Sequence, residues 1–161
     1  SKEARAAYHL SPENRRLAVR RLTLAAMLLY TFPGSPTVYY GDEAGMEGFE
    51  DPMNRRGYPW GREDPRLLAL YRTLGRLRKE RRSLQEGDIT YLTADGGLLV
   101  YCRTLDGEST YTALNTGDTT RTVTLPWESG FAMDAVSMQR FWVRNGTLRI
   151  DLPPCDGVVL I

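Results

Sequence analysis

Carboxylates, guanidiniums and aromatic rings are concentrated in one stretch of this sequence, from Pro33 to Trp60. Its five carboxylates are Asp42, Glu43, Glu47, Glu50 and Asp51, and its two arginines are Arg55 and Arg56. A carboxylate accepts hydrogen bonds from hydroxyl groups, and a guanidinium donates several in a fixed fork. A pair of carboxylates can also act as general acid and base. The stretch is therefore the first candidate for a functional site.

A short buried strand is predicted at residues 37–40, where β-branched and aromatic residues lie between Pro36 and Gly41. The loop that follows is long, and long loops in compact chains are usually functional or disordered. This loop has too many aromatic residues and too few Ser, Lys or Gln residues to be typical of disorder. Polar loops at the carboxyl ends of buried strands carry the sites of α/β enzymes.

Two helices should position this loop. Ser11 followed by Pro12 predicts the start of the first helix, which must end before Pro33. Asp64 followed by Pro65 predicts the start of the second, whose arginines favour a solvated outer face near the helix C-terminus.

After residue 84 the sequence pattern changes to that of strands separated by turn residues. The predicted strands are residues 88–93, 98–105, 111–115, 120–125, 141–143, 147–152 and 158–161. Short strands at this spacing are typical of an antiparallel sandwich. We therefore predict two domains, residues 1–84 and 85–161.

The bulk composition is that of a globular chain, with 161 residues, 42% hydrophobic and 25% charged, and a net charge of +1. It contains no apolar run near the roughly 20 residues that span a bilayer. Residues 1–84 hold 16 Lys and Arg against 10 Asp and Glu. Nucleic-acid binding would fit this basic part of the chain, but a solvated helix face explains the excess of positive charge better. Cys102 and Cys155 are expected to be reduced.

Four motifs together resemble the α-amylase family of glycoside hydrolases, especially the neopullulanase, cyclomaltodextrinase and maltogenic amylase group. PGSPTVYYGDE at 33–43, DPMNRR at 51–56 and the Pro59–Trp60 pair resemble the eighth barrel strand and its loop. LPPCDGVVLI at 152–161 is similar to the last strand of that family's C-terminal β-domain. The resemblance implies an α/β plus all-β fold. The last part of a (β/α)8 TIM barrel, as helix–strand–helix, would precede a C-terminal antiparallel β-sandwich.

The resemblance also implies where the reaction occurs. Glycoside hydrolysis uses two carboxyl groups that flank the scissile bond. In this family these groups, and a third aspartate, follow the fourth, fifth and seventh strands, all upstream of the eighth. His9 does not lie in the seventh-strand motif. We therefore expect no catalytic residue in this chain, no metal and no cofactor. The chain would be a cytoplasmic fragment of a retaining enzyme, inactive alone.

The same resemblance makes Asp51 and Arg55 the substrate-binding candidates, because they match a loop pair that contacts sugar hydroxyls. The alternative is that they form an ion pair that only shapes the loop. Glu43 is expected to hold backbone or neighbouring side chains. Tyr58 and Trp60 could stack on a sugar ring, although sealing the loop against the barrel rim is slightly favoured.

The expected ligand is an α-glucan oligosaccharide, with neither nucleic acid nor membrane as a partner. An incomplete barrel exposes apolar surface, so the missing barrel portion or self-association is expected to cover it. An alternative is a non-catalytic amylase-like scaffold or a carbohydrate-binding β-sandwich. The latter predicts exposed aromatic residues on one sandwich face.

Overall fold

Helices occupy the first half of the chain and strands the second. The structure, a computed structural model, describes residues 3, 7–48, 50–128 and 130–161. The helices are α1 (Pro12–Thr31), α2 (Pro65–Glu80) and α3 (Arg82–Glu86). The strands are β1 (Asp88–Asp95), β2 (Leu98–Leu105), β3 (Glu108–Asn115), β4 (Arg121–Pro126), β5 (Phe131–Met133), β6 (Arg140–Trp142), β7 (Thr147–Leu152) and β8 (Asp156–Leu160).

Both predicted helix starts are confirmed by their capping bonds. The Ser11 hydroxyl accepts a hydrogen bond from the backbone N–H of Asn14 at 3.2 Å. The Asp64 carboxylate accepts from the backbone N–H groups of Arg66 and Leu67. A proline occupies the first turn of each helix, where its missing N–H costs no hydrogen bond.

The predicted buried strand at residues 37–40 is wrong. Residues 35–39 have no regular secondary structure, residue 40 begins a turn, and Tyr39 and Tyr40 are exposed. A strand needs a neighbour for its backbone hydrogen bonds, and none of the strands in the described residues pairs with this segment. The helix–strand–helix prediction is thus replaced by two helices joined through an extended segment and a loop.

The strands of the described residues form three antiparallel sheets. The largest has the order β1-β2-β3-β8, and the pairs β4-β7 and β5-β6 form the others. Apolar side chains of the large sheet and of β4-β7 meet in one core, whose members include Leu98, Val100, Leu160, Val123, Leu148 and Ile150. The strands at 98–105 and 147–152 have the predicted bounds, whereas β5 and α3 were not predicted. The three-residue strand β6 lies one residue before its predicted position at 141–143.

The outer strand β1 carries an irregularity in its pairing with β2. Tyr91 lies opposite Tyr101 and Thr93 lies opposite Val100, so Leu92 is an extra residue. Tyr91 and Leu92 are both exposed. This β-bulge locally bends the edge of the large sheet.

A second core joins helices and strands. Leu24 and Met27 of α1 and Leu74 of α2 pack in one cluster with Leu114 and Val159 of the large sheet. This packing crosses the boundary at residues 84–87, where helices give way to strands. The division into domains 1–84 and 85–161 stays a prediction.

The helical arginines do not all lie on a solvated face. Arg78 donates to the carbonyl oxygens of Tyr30 at 2.7 Å and Phe32 at 3.0 Å. Arg81 donates to the carbonyl oxygen of Ser109 at 2.6 Å. The expectation of a purely solvated face is wrong for these two residues. Carbonyls at a helix C-terminus have no intrahelical partner, and Arg78 supplies one at the end of α1, whereas Arg81 binds a carbonyl of strand β3.

In the part of the chain that the structure describes, the helices are too short or too polar to cross a bilayer. Cys102 and Cys155 are free cysteines; Cys102 lies on β2, and Cys155 lies in the turn before β8.

Candidate functional site

The candidate loop begins with a tight turn at Gly41. The N–H of Met46 donates to the carbonyl oxygen of Gly41 at 2.9 Å. Gly41 has a φ of +96°, and a Cβ there would lie 2.3 Å from the Met46 sulfur. The Glu43 carboxylate accepts from the Gly41 N–H at 2.8 Å. Glu43 therefore holds backbone, as the sequence predicted.

Charge is concentrated where this turn meets the helices. Burial raises the pKa of Asp42, and the neighbouring charge of Glu43 raises it further. The pKa of Tyr71, on α2, is raised to about 12, first by burial and then by the charge of Asp42. Desolvation and Glu43, with which its hydroxyl forms a hydrogen bond, raise the pKa of Tyr58. The negative charge of Asp42 thus raises the pKa of Tyr71, and that of Glu43 raises the pKa of Tyr58.

Glu47 connects the loop to the residues before α1. One carboxylate oxygen accepts from the Leu10 N–H at 2.9 Å, and the other accepts from the Arg15 guanidinium at 2.9 Å. His9 Nδ1 lies 3.4 Å from the carboxylate. Burial alone would raise the pKa of Glu47, but the Leu10 N–H and Arg15 outweigh it and lower the pKa. Sequence reasoning missed this cluster because its members are more than 30 residues apart.

Asp51 and Arg55 lie together at the outer part of the loop. Arg55 Nε is 2.7 Å from Asp51 Oδ1, and the two side chains are 70% and 61% exposed. Two tyrosines of the extended segment support this part: the Tyr40 hydroxyl donates to the Arg56 carbonyl oxygen at 2.9 Å. The Tyr39 hydroxyl accepts from the Asn54 amide at 3.4 Å. The structure brings the two predicted substrate-binding residues into an ion pair, and contact with sugar stays a prediction.

Tyr58 and Trp60 form an aromatic pair at the end of the loop. Their ring centroids are 4.5 Å apart, and Trp60 is 81% exposed. Within the described residues the Trp60 ring is not covered, and both sealing against a barrel rim and stacking on sugar stay predictions.

Two clefts lie beside the loop. A cavity of about 560 Å³ is lined by apolar residues of α1, including Ala18, Val19 and Leu22, and by Met46 and Glu47. A smaller one, of about 310 Å³, is lined by polar groups that include His9, Arg15, Arg56 and Arg62. Among the residues that the structure describes, no three His, Cys, Asp or Glu side chains are grouped as metal ligands would be.

Comparison with known proteins shows what the chain is similar to. It matches no protein-family model. It is 36% identical over 160 residues to an amylopullulanase of Thermoanaerobacter thermohydrosulfuricus, covering 90% of this chain. It is 32% identical over 147 residues to a cyclomaltodextrinase of Geobacillus thermopakistaniensis (strain MAS1), covering 88%. A solved Anoxybacillus α-amylase aligns with a TM-score of 0.77 and 33% identity over 88% of this chain. The chain is homologous to α-amylase-family enzymes.

The α-amylase-family resemblance drawn from the four motifs is thus confirmed, and the cyclomaltodextrinase belongs to the predicted group. Amylopullulanase is not one of the enzyme types in the group that the motifs resembled. The chain spans 11% of the amylopullulanase, 25% of the cyclomaltodextrinase and 32% of the solved α-amylase. Similarity to these α-amylase-family enzymes therefore concerns a limited part of each.

Proposed function

We propose that this chain supplies the sugar-contacting loop and the β-rich part of a retaining α-amylase-family glycosidase. The substrates would be maltooligosaccharides, cyclodextrins, pullulan or starch. The enzyme would cleave their α-1,4 glucosidic bonds, and α-1,6 bonds are a second candidate. Residues 1–84 would complete a (β/α)8 barrel, and residues 85–161 would form a stabilising β-sandwich. The names of the amylopullulanase and cyclomaltodextrinase relatives support this range of substrates.

The observation that carries the proposal is the exposed ion pair of Asp51 and Arg55. The 2.7 Å contact fixes the guanidinium, and the high exposure of both side chains leaves surface for a ligand. Asp51 can accept from sugar hydroxyls while Arg55 donates to them. Because the pair is already formed, little side-chain entropy is lost when sugar binds.

The reacting carboxylates would come from outside this chain. A retaining glycosidase needs a nucleophile and an acid/base group on either side of the scissile bond. The Glu43 carboxylate accepts from the backbone N–H of Gly41, and the Glu47 carboxylate accepts from Arg15 and from the Leu10 N–H. Asp51 is paired with Arg55. These contacts support a role in shaping and binding, with no hydrolysis by the chain alone.

The apolar cleft beside α1 would be covered by the rest of the barrel or by a second copy of the chain. Leu17 and Phe32 are exposed, and Val19 and Leu22 line the cleft. Exposed apolar surface of this kind is typical of an interface.

Maltotriose titration followed by nuclear magnetic resonance would test sugar binding by the loop. The Arg55 Nε–H signal should shift and saturate as maltotriose is added to the purified chain. Replacing Arg55 with Ala should weaken binding about tenfold, as expected for loss of a charge-assisted hydrogen bond. No reducing sugar should be released from starch.

Arg82 provides a matched control, because it forms an exposed i,i+4 pair with Glu86 outside the loop. Its signal should not shift, and Arg82→Ala should bind maltotriose like the unmodified chain. Equal weakening by both substitutions, or release of sugar by the chain, would contradict the proposal.

A non-catalytic carbohydrate-binding β-sandwich is the second candidate. It is favoured by one observation, the exposed tryptophan Trp142 on β6. An amylase-like scaffold without catalysis is a related possibility, and it predicts no sugar-dependent shift at Arg55.

A further inference from the structure

The outer face of the hairpin formed by β5 and β6 carries two aromatic rings and a guanidinium. Phe131 lies directly opposite Trp142 in this antiparallel pair. Because side chains alternate across a strand, one face holds Phe131, Met133, Arg140 and Trp142. We name these four residues the hairpin face. On the opposite face, Ala132 is fully buried and Phe141 packs against the sandwich core.

Phe131 holds its two neighbours in place. Its ring centroid lies 5.7 Å from that of Trp142, with an interplanar angle of 64°. The Arg140 guanidinium lies 4.9 Å above the Phe131 ring. Edge-to-face rings and a cation above a ring are both favourable arrangements. The indole and the guanidinium therefore both contact the Phe131 ring before any ligand binds.

Trp142 is 67% exposed even though its strand is anchored to the core through Phe141. Burying a large apolar side chain is worth about 1.5–3 kcal/mol, so this tryptophan forgoes most of its possible contribution to folding. A rigid aromatic ring that is held in solvent is typical of a binding surface.

We propose that the hairpin face binds the sugar rings of an α-glucan chain, as a second saccharide site besides the loop of Asp51 and Arg55. A pyranose ring has apolar C–H faces that suit the flat indole of Trp142. Its hydroxyl groups can accept from the guanidinium of Arg140. The assignment to α-linked glucose rests on the proposed function of the chain, whereas the stacking surface does not.

The size of the hairpin face favours an oligosaccharide over a protein. Strands of three residues are about 10 Å long, and paired strands lie about 4.8 Å apart, so the face is roughly 10 Å across. Stable protein interfaces bury about 800 Å² on each partner. A face this small accommodates a short run of sugar rings.

Titration of the purified chain with maltoheptaose, followed by the indole N–H signal of Trp142, tests the site. The signal is assigned by its disappearance in Trp142→Phe. We expect a saturable shift, and Arg140→Ala should raise its midpoint about fivefold, as for one hydrogen bond. Tyr91→Ala, which removes an exposed aromatic residue from β1, should leave the midpoint unchanged.

The result is independent of the loop, because the Arg55 Nε–H signal reports the first site in the same titration. A shift at Trp142 without one at Arg55 supports the hairpin site and contradicts the loop. A Trp142 signal that stays fixed up to the solubility limit of maltoheptaose overturns the hairpin site, whatever Arg55 does. Equal shifts with cellohexaose overturn the α-glucan assignment. A shift on diluting the sugar-free chain would show that a second copy covers the face, which also overturns it.

Discussion

The guanidinium of Arg103 donates to the carbonyl oxygen of Thr31 at 3.0 Å, which joins strand β2 to the last residue of α1. Arg103 is only 1% exposed, and it also donates to the Gly87 carbonyl oxygen at 2.7 Å. The Thr31 hydroxyl lies 2.5 Å from the hydroxyl of Tyr101 on the same strand. The carbonyl and hydroxyl groups of Thr31 therefore find partners in the sheet, and the end of the helix and the sheet depend on each other.

Replacing Arg103 with Met should lower the free energy of unfolding by about 2 kcal/mol, because the buried Thr31 carbonyl and the partly buried Gly87 carbonyl lose their donor. Urea unfolding monitored by circular dichroism measures the change. Arg149→Met is the matched control, since Arg149 is a strand arginine with an exposed side chain, and it should change stability by less than about 0.5 kcal/mol. Equal effects of the two substitutions would show that Arg103 does not support the helix end.

The stability supplied by Glu47 should disappear in acid. The folded state lowers the pKa of Glu47, so the carboxylate stabilises the fold at pH values above its unfolded pKa of about 4.3. This contribution is lost as the pH falls below that value and through the lower folded pKa. The difference in unfolding free energy between the unmodified chain and Glu47→Gln should thus be large at neutral pH and shrink below about pH 4. Glu86→Gln, which changes an exposed pair, should give a small difference at neutral pH.

Tyr40→Phe should loosen the loop that carries Asp51 and Arg55. The lost bond to the Arg56 carbonyl oxygen is worth about 1 kcal/mol. The rate of tryptic cleavage after Arg55 and Arg56 should therefore rise about fivefold, since proteolysis follows local opening. Tyr39→Phe removes a longer contact of 3.4 Å and should have a smaller effect. Similar cleavage rates in the two variants would mean that the hydroxyl of Tyr40 does not hold the loop.

Gly41→Ala should destabilise the turn for two separable reasons. The φ of +96° is unfavourable for any residue with a Cβ, and the new methyl group would meet the Met46 sulfur. We expect a loss of roughly 2 kcal/mol in thermal or urea unfolding. Adding Met46→Ala should not restore full stability, because the backbone strain remains. Gly57→Ala is the control, since a Cβ there meets nothing within 4 Å.

Capping residues and strand periodicity were visible in the sequence because they act over a few neighbours. Ser11 and Asp64 showed where helices begin, and the alternating residues of β7 gave its bounds. The extended segment at Tyr39 and Tyr40 was misassigned because a strand depends on partners elsewhere. Its residue types fit the strand pattern, but this local pattern does not show whether another strand lies beside it to form hydrogen bonds.

In the candidate site, too, contacts between residues close in sequence could be predicted, and contacts between distant residues could not. Asp51 and Arg55 are four residues apart, so their pairing could be anticipated from the motif. Glu47 bonds to Leu10 and Arg15 across more than 30 residues, and the guanidinium of Arg103 bonds to Thr31 across 72. Arginines in apolar surroundings are the signal that could have indicated such long-range bonds, because a buried guanidinium must find acceptors.

The bulge in β1 has a consequence for how this chain behaves at high concentration. An outer strand presents unpaired backbone groups that can add strands from other molecules, which is how ordered aggregates grow. The extra residue Leu92 bends the edge between Tyr91 and Thr93. A straight strand from another molecule cannot match this edge over its full length. The irregularity thus protects a sheet whose exposed tyrosine and leucine would otherwise favour fibre growth.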